Sequence, residues 1–345
     1  MGSGRLVAVF GAYGHTGRFV VAELAARGFV PVVSGRNAGV LKELADEHGV
    51  EARVASAGDT ESLDRALAGT VAVINCAGPF AATTGPVIEA ALRARIPYLD
   101  VAAELEANLD TFARYQDRAR EAGAVIVPAM AFFGGLGDLL VTAAMGDWTA
   151  ADEARIAYAL SSWHPTAGTR LSGAVSRERR GNARLRYRGG RWERRTDEAP
   201  TLRWTFPEPV GVQEVIGEFT MADVVTVAQH LAIPDVSTCM TADAVRDVAA
   251  PGTPAPTATD PGGRSDQTFV VDAVVRRGGT ERRATASGQD IYAITAPLVA
   301  EALERVLAGR TGTTGVAPAG EIFDAPDFLR ALAPDLALGL PPQHS

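Results

Sequence analysis

The sequence predicts an α/β fold in which a doubly wound parallel sheet is followed by a second α+β domain, built on a mixed or antiparallel sheet. Two observations predict the first part. Apolar runs alternate with amphipathic segments up to residue 130, and three glycines follow the first run at a three-residue spacing. The third observation is a change after about residue 146, where apolar and polar residues alternate one by one. A chain of 345 residues is long enough for two domains, each with its own core.

The first 130 residues contain six strand-like runs with five helix-like segments between them. We expect strands at 5–10, 29–35, 51–56, 70–78, 96–102 and 124–130, and helices at 15–27, 40–49, 62–69, 86–95 and 105–123. This alternation is typical of a parallel sheet that is covered by helices on both faces. Residues 1–130 are therefore predicted to form a Rossmann-type domain.

The rest of the chain is predicted to form a second domain and a returning tail. Residues 131–290 carry alternating strand patterns at 154–160, 183–195, 203–206 and 267–288, with a Gly-Gly hairpin turn in the last. The stretch 250–266 is rich in Pro, Gly and Thr and is expected to be a loop. Residues 291–345 contain an amphipathic helix at 292–309 and a short helix near 324–332, and we expect them to pack back on the first domain.

Composition excludes several classes of function. The net charge of −8 argues against a nucleic-acid or anionic-membrane partner, and no apolar run is long enough to span a bilayer. We therefore expect a cytoplasmic protein. Lys42 is the only lysine, which excludes a P-loop, leaves no plausible Schiff-base lysine, and excludes a Tyr-x-x-x-Lys pair. Histidines and carboxylates nowhere have metal-ligand spacing, so no metal site is predicted.

The segment VFGAYGHTGRFV, at the first strand-to-helix junction, predicts a dinucleotide site. At a helix N-terminus, free N–H groups and a partial positive charge face a bound anion. Gly11 permits the turn, Gly14 lets a pyrophosphate approach the backbone, and Gly17 allows the helix to pack closely on the strand. The candidate cofactor-binding residues here are Gly11, Tyr13, Gly14, His15, Thr16 and Gly17.

The ends of the second and fourth strands add further cofactor-binding candidates. The second strand ends in Ser34, Gly35, Arg36 and Asn37, without the carboxylate that holds the ribose hydroxyls of NAD. The planar guanidinium of Arg36 suits a 2′-phosphate, so NADP(H) is predicted, although Arg36 could also be one more solvated arginine. The fourth strand is followed by a turn expected beside the cofactor, formed by Ala77, Gly78, Pro79 and Phe80.

Four residues are candidates for catalysis. Tyr98, Asp100 and Glu104 follow or end the fifth strand, where partial burial would raise the pKa of Asp100 into the range of a general acid. The alternative is that Asp100 or Glu104 caps the helix that begins near residue 104. His164 ends the first strand of the second domain and is either a proton donor or a loop histidine without a role.

Arginine is concentrated between residues 177 and 195. Nine arginines stand here against Glu178 and Glu193. One interpretation is the solvated face of a hairpin, and the other is a site for an anionic, phosphorylated or carrier-bound substrate. The arginines are Arg177, Arg179, Arg180, Arg184, Arg186, Arg188, Arg191, Arg194 and Arg195.

Residues 5–145 resemble the saccharopine dehydrogenase-like oxidoreductases, which include trans-acting enoyl reductases. The resemblance lies in GAYGHTG, SGRN, INCAGPF and GPVIEAALRARIPYLDVAAE. It implies NADP(H)-linked hydride transfer, a cofactor between a Rossmann domain and a mixed-sheet domain, and a late helix that returns to the first domain. The chain departs from the family pattern at Ala103 and at residues 131–135, both near the expected substrate side.

These observations predict an NADPH-dependent reductase acting on a C=N or C=C bond of a small metabolite. A ketone or aldehyde reductase is an enzymatic alternative, and an NADP(H)-sensing regulator without turnover is an alternative of a different class. The partner is expected to be a small molecule. A homodimer through the apolar side of the second sheet is a further expectation.

Overall fold

The computed structural model describes residues 4–342, and its first sheet is the predicted parallel one. Seven strands lie in the order β3-β2-β1-β4-β5-β6-β15, with all pairs parallel. Numbered in chain order, they are β1 (Leu6–Phe10), β2 (Val30–Gly35), β3 (Glu51–Val54), β4 (Ala72–Asn75), β5 (Tyr98–Asp100), β6 (Val125–Val127) and β15 (Gly315–Val316). The Rossmann-type fold class is confirmed.

Five helices connect these strands: α1 (His15–Ala26), α2 (Ala38–His48), α3 (Thr60–Leu67), α4 (Phe80–Ala94) and α5 (Leu105–Glu121). Polar residues cap two of them, since the side chains of Asn37 and Asp59 accept backbone N–H groups at the starts of α2 and α3. Helix α4 begins six residues before the predicted start at residue 86. It includes Pro86, and residues distant in sequence satisfy its first N–H groups.

The second sheet is mixed. Its main path is β10-β11-β12-β7-β13-β14-β16, and the hairpin β8–β9 attaches to β12. Only the β7–β12 pair is parallel among the described strand pairs of this sheet. The strands are β7 (Glu153–Leu160), β8 (Arg184–Arg188), β9 (Arg191–Arg195), β10 (Thr201–Thr205), β11 (Val212–Gly217), β12 (Asp235–Thr241), β13 (Thr268–Arg277), β14 (Thr280–Gln289) and β16 (Ala337–Gly339).

Seven further helices accompany the second sheet and the tail: α6 (Gly137–Met145), α7 (Ala167–Arg179), α8 (Asp223–His230), α9 (Ala242–Ala249), α10 (Thr295–Leu307), α11 (Ala319–Ile322) and α12 (Ala325–Ala331). An irregular turn at Phe132–Leu136, in which Phe133 and Gly134 have non-helical backbone angles, precedes α6, which lies against β13 and β14. The sequence pattern did not predict α7, α8 and α9. In α7 only Ser176 is buried, so this helix has no apolar stripe for periodicity to detect.

The tail contributes to both sheets. Helix α10 lies against α1, where Arg27 Nη1 donates to carboxylates of Glu301 at 3.0 Å and Glu304 at 2.6 Å. Strand β15 extends the first sheet and β16 pairs with β14 of the second. In the part of the chain that is described, no helix is both long and apolar enough to cross a bilayer.

Candidate cofactor and substrate cavity

The turn between β1 and α1 is packed so closely that two of its glycines have no room for a side chain. Gly11 adopts a φ of +84°, and a Cβ there would lie 2.7 Å from the backbone nitrogen of Ala77. A Cβ at Gly17 would lie 2.3 Å from the carbonyl oxygen of Gly11. The N–H of Gly11 donates to the carbonyl of Ser34 at 2.8 Å. The turn therefore holds the start of α1 against the carboxyl ends of β2 and β4.

A cavity of about 1610 Å³ lies in front of this turn, between the two domains. Sites for single small molecules are typically about 300–1,000 Å³, so this cavity has room for a dinucleotide and a second molecule. The start of α1 faces it through Gly14, His15 and Thr16, and no side chain caps the helix there. Its N–H groups are thus available to an anion.

Eleven of the fourteen cofactor-binding candidates line this cavity: Gly11, Tyr13, Gly14, His15, Thr16, Gly35, Arg36, Ala77, Gly78, Pro79 and Phe80. The other three support the site from behind. Gly17 packs under the turn, Ser34 accepts the N–H groups of Gly11 and Ala12, and the side chain of Asn37 caps α2 at 3.1 and 3.2 Å. Gly17, Ser34 and Asn37 do not line the cavity, and their contact with a cofactor stays a prediction.

The end of the cavity beside β2 fits an NADP 2′-phosphate. Arg36 is exposed and lines the cavity, and no hydrogen bond or ion pair holds its guanidinium within residues 4–342. The aromatic ring of Tyr13 lies against Gly35, where a Cβ would come within 2.6 Å of the ring. Ser56 and Gly58, which follow β3, line the same cavity, and none of these residues is acidic.

Asp100 and Tyr98 lie inside the first domain, not on the cavity wall. Asp100 Oδ1 accepts the N–H groups of Ala102 at 3.0 Å and Ala129 at 2.8 Å, and Oδ2 accepts the Tyr98 hydroxyl at 2.8 Å. Burial raises the pKa of Asp100 to about 6, as expected from its place after an apolar strand. The carboxyl group ties the end of β5 to the segment after β6, which is a structural role.

Glu104 lines the cavity but caps a helix, and His164 lies elsewhere. The carboxylate of Glu104 accepts the N–H groups of Phe80 at 2.8 Å and Ala81 at 3.0 Å, at the start of α4. The capping alternative thus applies, but to α4 rather than to the helix that follows Glu104. His164 lines a separate cavity of about 150 Å³ behind Trp163 and Tyr292.

Sequence reasoning missed a hydroxyl network on the second-domain side. The Tyr292 hydroxyl accepts from Trp163 Nε1 at 3.2 Å and lies 3.0 Å from Thr169 Oγ1, and all three residues line the larger cavity. The Tyr292 ring meets His15 edge to face at 5.1 Å, and burial lowers the pKa of His15. Tyr292 could be suspected only from its position before the late helix.

The arginine-rich segment is divided between a helix and a hairpin. Arg177, Arg179 and Arg180 lie at the end of α7 and not on the expected hairpin. The cavity is lined by Arg177, Arg180 and Arg184 of this segment. The other arginines do not line the cavity, and several are paired: Arg179 with Asp110, Arg186 with Glu193 and Glu218, and Arg195 with Asp197. The interpretation as an anion site is therefore open to the three arginines that line the cavity, and the interpretation as a solvated face applies to the rest.

A Rossmann sheet, an uncapped glycine turn and a cavity closed by a mixed-sheet domain define a two-domain dinucleotide-binding protein. Residues 7–127 match the family model described as the saccharopine dehydrogenase NADP binding domain. Residues 7–127 are therefore similar to the NADP-binding domain of the saccharopine dehydrogenases, as the resemblance implied.

Two comparisons show how far the similarity extends. The chain is 33% identical over 140 residues to a probable mitochondrial saccharopine dehydrogenase-like oxidoreductase of Arabidopsis thaliana, covering 36% of this chain and 31% of that protein. The structure of apo histidine-tagged saccharopine dehydrogenase (L-Glu forming) from Saccharomyces cerevisiae aligns with a TM-score of 0.64 at 14% identity, covering 98% of this chain and 100% of that one. This second likeness is a likeness of fold.

Proposed function

We propose that the protein is an NADPH-dependent reductase that delivers hydride to a C=N or C=C bond of a small molecule. One observation carries the proposal. The cavity that meets the glycine turn and Arg36 on one side extends to α7 and Tyr292 of the second domain on the other, with space beyond that of a dinucleotide.

The residues at the glycine turn fit an NADP cofactor. The uncapped start of α1 suits the pyrophosphate, and the missing side chain of Gly14 leaves its approach open. The guanidinium of Arg36 suits the 2′-phosphate. When bound, the reduced cofactor supplies the hydride, and the chain itself must orient the substrate, exclude water and hold a proton.

The second domain supports these remaining tasks. Ser172 of α7 lies close to Gly78, since a Cβ at Gly78 would come within 2.6 Å of the Ser172 hydroxyl. Helix α7 therefore covers the turn after β4. A covered site keeps water from the reacting bond. Thr169 and Tyr292 line the cavity and their hydroxyls are hydrogen-bonded to each other, which makes these residues the candidates for holding the proton.

The cofactor assignment is tested by calorimetric titration with NADPH and NADH. We expect NADPH to bind more tightly, and Arg36→Ala to weaken NADPH binding by about tenfold to a hundredfold while leaving NADH unchanged, as a lost charge-assisted pair requires. Arg65→Ala, at an exposed arginine of α3, is the matched control. Failure of both nucleotides to bind would overturn the proposal.

Turnover separates the reductase from the regulator. The regulator remains a second candidate because Asp100 and His164 do not line the cavity. We expect NADPH absorbance to fall with members of a panel of imines and enoyl compounds, and ketones and aldehydes are assayed beside them. Tight NADPH binding without oxidation by any of the four classes would favour the regulator.

A further inference from the structure

The second-domain wall of the cavity carries a row of aromatic rings. Trp163 has its ring centroid 5.3 Å from that of Phe133 and 6.1 Å from that of Phe219. All three residues line the cavity, and Trp163 and Phe133 are buried. A continuous aromatic surface of this kind favours an apolar group on the facing molecule.

Helix α9 adds an apolar face to the same wall. Val245 and Val248 are one helical turn apart, are half-buried and line the cavity. On the outer side of α9, the exposed side chains of Arg246 and Asp243 form an ion pair at 2.7 Å. The helix is thus amphipathic, and its apolar face is turned toward the cavity.

Helix α7 places one unpaired cation on this cavity. The guanidinium of Arg170 already has hydrogen-bond partners, because its Nη2 donates to the carbonyls of Ala250 at 3.2 Å and Thr253 at 2.7 Å. These bonds join α7 to the segment that follows α9. Arg177 lies seven residues further, about 10 Å along the helix axis. It is exposed and lines the cavity, and its guanidinium has no hydrogen-bond or ion-pair partner within residues 4–342.

The neighbouring charges leave this cation uncompensated. Arg180 pairs with Glu106 at 3.1 Å, and Arg184 pairs with Glu218 at 3.2 Å. Besides His15, the acidic and basic residues that line the cavity in the described chain are five arginines and two glutamates, although the whole protein carries a net charge of −8. The cavity therefore favours an anion.

We propose that the second-domain half of the cavity binds an amphipathic anion, with its apolar body on the aromatic wall and α9 and its carboxylate or phosphate on Arg177. The proposal rests on the reductase function and names the chemical class of its substrate. A carboxylate and a phosphate share the geometry that a guanidinium recognises.

Calorimetry on the NADP⁺-loaded protein tests this inference, with octanoate, octyl phosphate, butanoate and octanamide as probes. We expect octanoate or octyl phosphate to bind at least about tenfold more tightly than octanamide, and octanoate about tenfold more tightly than butanoate. Whichever of the two octyl anions binds more tightly identifies the head group.

Substitution of the arginine separates a specific site from general attraction. Arg177→Gln is expected to weaken binding of the octyl anions about tenfold or more and to leave NADPH binding unchanged, and Arg177→Lys is expected to restore part of the loss. Arg191→Gln, at an exposed arginine of β9 away from the cavity, is the matched control.

Two results would overturn the inference: neither octyl anion binding more tightly than octanamide, or unchanged binding of the tighter octyl anion in Arg177→Gln. Titration of the same protein with NADPH shows whether a negative result overturns this inference alone or the proposed reductase function as well. A protein that binds NADPH but none of the octyl anions overturns this inference alone, whereas a protein that binds no nucleotide overturns the proposed function.

Discussion

At the scale of single residues, the second domain buries a carboxyl group in its core. Asp223 has no exposed surface, and its Oδ1 accepts the Tyr158 hydroxyl at 2.5 Å. Within residues 4–342 no hydrogen bond is made to its Oδ2, which is the oxygen that can carry a proton. Burial raises the pKa of Asp223 to about 6, and the charge of nearby Asp138 contributes in the same direction.

This raised pKa predicts that stability falls as pH rises. Between about pH 4 and pH 6 the native state holds a proton that the unfolded state has lost, so the free energy of unfolding decreases with pH and loses up to about 3 kcal/mol from this group. Urea unfolding across this pH range should show a shallower decline in Asp223→Asn than in the wild type. Asp117→Asn, at an exposed residue, should retain the wild-type slope. Parallel slopes in the wild type and Asp223→Asn would contradict this assignment.

At the scale of elements, the β1–α1 turn separates a glycine needed for folding from one needed for binding. A Cβ at Gly17 would meet the carbonyl oxygen of Gly11 at 2.3 Å, whereas a Cβ at Gly14 would lie 3.2 Å from the same oxygen and on the cavity wall. Gly14 also has a φ of −65°, which alanine adopts without strain.

We therefore expect Gly17→Ala to impair mainly the stability of the fold and Gly14→Ala to impair mainly the binding of NADPH. Gly17→Ala should destabilise the protein by about 2 kcal/mol or more, since the contact is to backbone and cannot move aside cheaply. Gly14→Ala should cost less than about 1 kcal/mol of stability but weaken NADPH binding about tenfold. Thermal unfolding and calorimetric titration of both variants measure the two effects. A Gly14→Ala variant that binds NADPH normally would show that the cofactor does not approach this residue.

At the scale of the whole molecule, Arg27 joins the returning helix to the Rossmann domain. Its guanidinium pairs with Glu23 on its own helix and with Glu301 and Glu304 on α10, and its side chain is 20% exposed. These carboxylates raise the pKa of Arg27 against the opposing effect of burial. Removing the arginine would leave three partly buried carboxylates facing one another.

Arg27→Met is predicted to lower the free energy of unfolding by about 2 kcal/mol, measured by urea unfolding at neutral pH. Arg18→Met provides the control on the same helix, because Arg18 and Glu47 form an exposed pair at 3.6 Å, and such pairs contribute about 0–1 kcal/mol. Equal effects of the two substitutions would mean that the contact between α1 and α10 does not depend on Arg27.

Features that depend on local pattern can be predicted from the amino-acid sequence alone. Apolar runs and amphipathic segments specify the strands and helices of the first sheet, because each buries its own side chains in a regular repeat. Gly11 and Gly14 at a strand-to-helix junction, and Arg36 without a carboxylate beside it, place the cofactor end of the cavity. These signals lie within a few residues of one another, so one chain is sufficient to detect them.

Which polar groups face the cavity depends on contacts between segments that are distant in the chain. Glu104 caps α4 across 24 residues of sequence, and Tyr292 meets Thr169 across 123. Asp100 is held inward by the N–H group of Ala129, which is distant in the sequence. Helix α7 has no apolar stripe for a sequence pattern to detect, although it brings Arg177 to the cavity. Such contacts join segments that are distant in the chain. Which residues meet in such contacts depends on how the two domains pack, and the spacing of apolar residues along the sequence carries no information about that packing.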